Sequence, residues 1–191
     1  MVAWINRQFG TPRGLARLLL AYMELLTGRL NGFRLQRPEA VQRIVFVCLG
    51  NICRSAYAAQ VAARLGMPVA SLGLSTTTGA ASPDSAVASA ARLGVAMADH
   101  RATDWNDFEA LPGDLFLVME VRQAHEVRKR LQGRDDVFVA LLGMWCEPSM
   151  PHLHDPFSLS AEYFDTCFKR VDVAVNNLSK TVTARLIPVS A

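Results

Sequence analysis

Eight consecutive residues hold the groups best suited to chemistry: Cys48-Leu49-Gly50-Asn51-Ile52-Cys53-Arg54-Ser55. A thiolate is a nucleophile, and a guanidinium offers a planar fork to two oxygens of a phosphate. The spacing of Cys48 and Arg54 alone is weak, because the four cysteines of the chain would supply roughly 0.4 such pairs by chance. The surroundings add specificity. Ile44-Val45-Phe46-Val47 reads as a buried strand running into the segment, and the Ala-rich run after Ser55 reads as a helix leading away. A tight loop between strand and helix makes an anion cradle from successive backbone N–H groups, and the helix N-terminus adds unpaired donors and partial positive charge. Gly50 lets the backbone approach an anion closely, and Asn51 tolerates left-handed dihedrals. Ser55 can donate a hydrogen bond to the Cys48 sulfur. Residues 49–55 are therefore the expected phosphate-binding set: Leu49, Gly50, Asn51, Ile52, Cys53, Arg54 and Ser55.

The elements that must position this loop follow from hydrophobic periodicity. Strands are expected at Ile44–Cys48, Val69–Leu74, Asp114–Met119 and Val137–Leu142. Helices are expected at Ser55–Leu65, Pro83–Leu93 and 121–131, with a last one capped by Ser160 and carrying Phe164, Phe168, Val171, Val175 and Leu178 on one face. This alternation predicts an α/β fold, a four-stranded parallel sheet flanked by helices. Its ligand site would lie beyond the C-terminal ends of the strands, where the first strand delivers Cys48. Gly143–Leu159 contains Pro148, Pro151 and Pro156 and reads as a long loop, a kind of segment that often carries function.

The chain of 191 residues has 51% hydrophobic residues and a net charge of +3, which excludes a disordered chain. Residues 1–40 hold six arginines against two glutamates, so they carry +4 and the rest sums to −1. A body without a basic surplus argues against a nucleic-acid binder. Cys48, Cys53, Cys146 and Cys167 form neither a C-x-x-C pair nor a zinc-like spacing, as expected of free thiols in a reducing cytoplasm. No metal or cofactor is expected. Residues 1–41 read as a basic amphipathic extension and 42–185 as the body. In the extension Leu15, Leu18, Leu19, Met23 and Leu26 fall at helical spacing, and Leu20, Ala21, Tyr22 and Leu25 widen the apolar face. The apolar run is too short to span a bilayer, and Glu24 interrupts it as a signal peptide. Residues 13–30 could pack on the body, bind a partner or lie on an anionic membrane.

The run Val47–Ser55, together with Asp114–Met119, Leu141-Leu142-Gly143-Met144-Trp145 and Asp155-Pro156-Phe157, resembles the low-molecular-weight protein tyrosine phosphatases. The likeness extends from about residue 42 to about 180 and is greatest to the bacterial, exopolysaccharide-associated members. It implies hydrolysis of phosphotyrosine through a phosphocysteine on Cys48. Arg54 and the loop would hold the phosphate, and Asp155 would serve as general acid and then as base. His152 and His154 are competing acid candidates close by. Leu49, Ile52 and Phe157 would line the substrate cleft. The implied partner is a phosphotyrosine protein, such as a bacterial tyrosine kinase of polysaccharide export.

Several positions depart from the family pattern. Ala56 and Ala59 stand where Pro and Glu are usual, Phe157 stands for Tyr and is followed by Ser158, and Ser75–Ser82 brings no aromatic residue. Related arginine phosphatases carry Thr where this chain has Ile52, and an apolar residue there favours an aryl substrate. Arsenate reductases share the loop but need a closely spaced cysteine pair, whereas Cys146 and Cys167 are 21 positions apart. Thioredoxin-coupled reductase and non-catalytic phosphotyrosine-binding module are the alternatives. Cys53 could form a protective disulfide with Cys48 after oxidation, or it could be a packing residue.

Overall fold

The apolar runs become strands because a sheet covered on both faces pairs their backbone groups and buries both sets of side chains. The structure, a computed structural model, describes residues 1–186. Strands β1 (Arg43–Cys48), β2 (Val69–Gly73), β3 (Asp114–Val118) and β4 (Phe138–Leu141) form one parallel sheet in the order β2-β1-β3-β4. Each lies within the expected span to within one residue at either end. Two helices at the start, α1 (Val2–Phe9) and α2 (Pro12–Leu26), precede the sheet, followed in the body by α3 (Arg54–Arg64), α4 (Asp84–Arg92), α5 (Val121–Arg130) and α6 (Ala161–Leu186). Ser160 caps α6 as expected, its Oγ accepting from the Tyr163 N–H at 3.3 Å.

Side chains alternate across β1. Ile44, Phe46 and Cys48 join the core beneath α3, α4 and α6, whereas Val45 and Val47 join the core beneath α5. In the first of these Tyr57 of α3 stacks on Phe168 of α6 at 4.0 Å between ring centroids. Burying a ring of this kind contributes about 1.5–3 kcal/mol. Chain order reverses at β1, since the chain leaves β2 on one side and crosses to β3 on the other. The C-terminal ends of β1 and β3 therefore face a crevice, the usual ligand position in such sheets.

The N-terminal segment differs from expectation in two ways. Helix α1 went unread although Val2, Ile5 and Phe9 share one helical face; it docks through Phe9 against the core and through the Gln8 carbonyl, which accepts from Arg170 of α6. The docked face of α2 is also rotated from the expected stripe. Gly14, Leu18 and Ala21 are buried, while Leu19, Met23 and Leu26 point to solvent at 56%, 58% and 81% exposure. Gly14 accounts for this, because a Cβ there would lie 2.2 Å from the Phe9 carbonyl oxygen and 2.8 Å from the His154 ring. The one helix position without a side chain sets which face approaches the body. Leu30 and Phe33, further on, fill the α5-side core.

Candidate active site

β1 ends by carrying Cys48 to the sheet edge, and α3 starts at Arg54, so the chain must turn within five residues. Asn51 makes the turn with φ of 52°, the left-handed conformation expected of it. Its backbone N–H donates to the Cys48 sulfur at 3.2 Å, and the Ser55 hydroxyl lies 3.0 Å from the same sulfur. The Asn51 side chain is buried and fully engaged. Its amide donates to Ser55 Oγ and Ser71 Oγ, both at 2.9 Å, and its oxygen accepts from the Thr103 N–H at 2.9 Å. His100 Nε2 pairs with the Asn51 carbonyl oxygen at 2.7 Å. A Cβ added at Gly50 would meet nothing closer than 3.4 Å, so that glycine serves no protein packing need.

Arg54 is completely buried. Its Nη1 donates to Glu120 Oε1 at 2.8 Å and to the Leu153 carbonyl at 2.7 Å. Its Nη2 lies 2.8 Å from Asp155 Oδ2 as an ion pair, off the axis of a hydrogen bond, and neither Nη2 nor Nε has a hydrogen-bond partner among the described residues. These two nitrogens are the adjacent edge of the fork, suited to two oxygens of one oxyanion. Burial alone would lower the guanidinium's pKa, but the carboxylates of Asp155 and Glu120 raise it, so the side chain stays charged. Burial would likewise raise the pKa of Glu120, yet Arg54 outweighs it and holds the carboxyl at about 2.

Glu120 escaped the sequence reading. It follows β3, two residues beyond the Val118 that pairs with Val47, so a carboxylate just past the strand neighbouring β1 was the available signal. Ser71, His100 and Thr103 were likewise missed, because nothing local to them marks contact with the loop.

Leu49, Ile52 and Phe157 share the lining of one hollow with Cys48. A hollow of about 180 Å³ is lined by Cys48, Leu49, Gly50, Ile52, Cys53, Ser75, Asp155 and Phe157. Phe157 is half exposed and is the single aromatic ring on that lining. Cys53 is buried, and desolvation, reinforced by the Asp155 charge, pushes its pKa well up. His152 and His154 stand apart from this lining. Burial pushes His152 down to about 4, and it lowers His154, whose Nε2 contacts Thr11 Oγ1 at 3.2 Å. Among the described residues no group of three His, Cys, Asp or Glu could hold a metal ion. The reductase alternative is corrected by the other thiols. Neither Cys146 nor Cys167 is on the lining of the hollow, burial pushes each up to about 12, and their sulfurs face the carbonyls of Arg170 and His154.

Residues 43–186 match the family model described as low molecular weight phosphotyrosine protein phosphatase. The chain is 36% identical over 93 residues to the probable low molecular weight protein-tyrosine-phosphatase EpsP of Ralstonia nicotianae, a match that covers 47% of this chain and 63% of EpsP. The chain thus spans just under two thirds of that relative's length. It is 28% identical over 149 residues to the probable phosphatase AmsI of Erwinia amylovora, covering 73% of this chain and 99% of AmsI. The crystal structure of the E. amylovora tyrosine phosphatase AmsI gives a TM-score of 0.61 at 27% identity, covering 73% of this chain and 92% of that one. The YwlE arginine phosphatase of Geobacillus stearothermophilus gives 0.64 at 21% identity over 75% and 94%, a likeness of fold alone.

Proposed function

We propose, because the chain belongs to the low molecular weight phosphotyrosine protein phosphatases, that it hydrolyses phosphotyrosine on protein through a phosphocysteine intermediate. The observation that carries this reading is the Cys48 sulfur on the lining of the cleft, held by the Asn51 N–H and the Ser55 hydroxyl, with Arg54 ion-paired to Asp155 at the same hollow. Nε and Nη2 of Arg54 and the loop N–H groups hold the non-bridging oxygens of the phosphate. Cys48 Sγ bonds to phosphorus as the bond to the tyrosyl oxygen breaks, and Asp155 protonates that oxygen as it leaves. Water then attacks phosphorus, Asp155 accepts its proton, and the sulfur departs with its charge stabilised by Ser55 and Asn51. Leu49, Ile52 and Phe157 give the cleft apolar walls for an aryl ring.

The test is turnover of p-nitrophenyl phosphate and of a phosphotyrosine peptide in the presence of a metal chelator. Cys48→Ser abolishes turnover, and Asp155→Ala lowers it by about 10²–10⁴-fold. Faster turnover of phosphoarginine than of phosphotyrosine overturns the substrate class, and peptide binding without turnover makes the chain a binding module. A protective disulfide belongs to the same reading. Peroxide oxidises Cys48 to the sulfenic acid, the Cys53 thiol attacks that sulfur, and water leaves as the S–S bond forms. Mass spectrometry of the reversibly inactivated protein must then find Cys48 linked to Cys53. Free thiols fit a cytoplasmic setting, and no described helix is long and apolar enough to cross a membrane. A tyrosine kinase of polysaccharide export is the protein substrate we infer.

A further inference from the structure

The cleft at Cys48 does not end at Asp155 and Phe157. A second hollow of about 200 Å³ shares Leu49 and Ser75 with it and continues along Leu74, Arg122 and Gln123. A third, of about 290 Å³, shares Arg122 with the second and runs between α5 and α2 to Leu20, Ala21 and His152. The three hollows follow one another from Cys48 to the N-terminal extension, with the Arg122 side chain standing between the second and the third, and together they make up an interrupted groove.

Gln123 points to an occupant for the middle of the groove. The residue is 97% buried, its Oε1 accepts from the Met119 N–H at 3.1 Å, and this fixes the amide with Nε2 as the other, unpartnered end. Nε2 is closed to solvent, so it meets an acceptor in the hollow that Gln123 lines only through a shift of the side chain, and such an acceptor would relieve the cost of an unpaired buried donor. A peptide carbonyl has the required chemistry. The charges of the groove are mixed: Glu126 is paired with Arg130 at 2.7 Å, Glu120 with Arg54 at 2.8 Å, and Arg17 and Glu24 both line the third hollow, while the Arg122 side chain, bonded through Nε to Glu120, remains 56% exposed between the second and third hollows. The walls on either side of Arg122 are apolar: Leu49 and Leu74 towards the cleft, Leu20 and Ala21 towards α2.

We propose that this groove binds the polypeptide flanking the phosphotyrosine, that it selects apolar side chains interrupted by a carboxylate at Arg122, and that α2 supplies its far wall. The inference rests on the phosphatase reading, since the occupant enters the groove from a phosphotyrosine in the cleft. It assigns a role in substrate choice to the extension, which lies outside the residues matching the family model.

The test uses peptides carrying a non-hydrolysable difluorophosphonomethyl analogue of phosphotyrosine, so that affinity is read without turnover. One peptide places Leu-Asp-Leu on both sides of the analogue, the other Gly-Ser-Gly. Fluorescence anisotropy on the full chain should show the first binding at least about tenfold more tightly. Leu20→Asp, on the exposed face of α2, should narrow that ratio severalfold. Gln123→Glu, which keeps the acceptor for Met119 but replaces the donor, should narrow it as well. Equal affinity for the two peptides, or a ratio untouched by both variants, overturns the groove. Turnover of p-nitrophenyl phosphate without peptide preference overturns the groove alone. Peptide preference without turnover overturns the hydrolase reading alone.

Discussion

The Cys48–Ser55 loop and the N-terminal helices both reach the surroundings of Arg54, but they are built on different principles. In the loop, the groups that matter lie within eight residues of one another: the Cys48 sulfur, the Asn51 N–H and the Ser55 hydroxyl meet through a local turn. The extension works across the whole chain. Thr11 Oγ1 contacts His154, the Tyr22 hydroxyl donates to the Ser149 carbonyl at 2.6 Å, and Arg17 lies 3.9 Å from Glu120. These contacts fall on the segment 149–155 that carries Asp155, and on the carboxylate that orients Arg54. Cys48 is therefore placed by local geometry, while Asp155 and the second support of the Arg54 guanidinium depend on distant packing.

The largest test of that contrast is Glu120→Ala. It removes the carboxylate hydrogen-bonded to buried Arg54 and leaves the Asp155 ion pair and the Leu153 carbonyl, which should cost about 3–5 kcal/mol in urea unfolding. Glu120→Gln keeps an acceptor and should lose less. An Ala variant as stable as the parent would show that the loop needs no distant support. Next is Leu18→Ala on the docked face of α2, expected to cost about 2–5 kcal/mol and to lower the melting temperature. A negligible effect would make the extension a mere appendage.

The third test is pH. His152 titrates near 6.5 when unfolded, but burial holds it at about 4 in the fold. The unfolded chain therefore binds the proton first, and stability that is fully present above pH 6.5 is lost as pH falls through 4. The loss is on the order of 3 kcal/mol. Glu120, held at about 2, adds a further loss as pH falls from about 4.5 towards 2. His152→Gln should flatten the first of these declines in urea midpoints measured at pH 7, 5.5 and 4, and an unchanged slope would place the titrating group elsewhere. The smallest effect belongs to Leu26→Ala. With that side chain 81% exposed, stability should stay within about 0.5 kcal/mol of the parent. Beside Leu18→Ala, this measures how one-sided the docking of α2 is.

The strands were legible because a buried parallel strand requires an unbroken apolar run, and Ile44–Val47 and Leu115–Val118 supply one each. The loop was legible because the Cys48 thiol, the Asn51 N–H and the Ser55 hydroxyl are neighbours in the chain. The face of α2 was misread because the helix is apolar on both sides, and periodicity cannot choose between two apolar faces. Glu120 went unnoticed because an acidic residue after a strand is ordinary until the strand's neighbour is known.

The amino-acid sequence by itself determined which elements form, and that a thiol, an arginine and a hydroxyl share one turn, since these depend on spacing over a few residues. Only the tertiary structure decided that Glu120 pairs with Arg54, that His152 and His154 stand outside the hollow at Cys48, and that Leu20 and Ala21 of α2 line a hollow with Arg122. Those relations join residues tens of positions apart, and the physical reason is that burial, not proximity in the chain, assigns a charged side chain its partner.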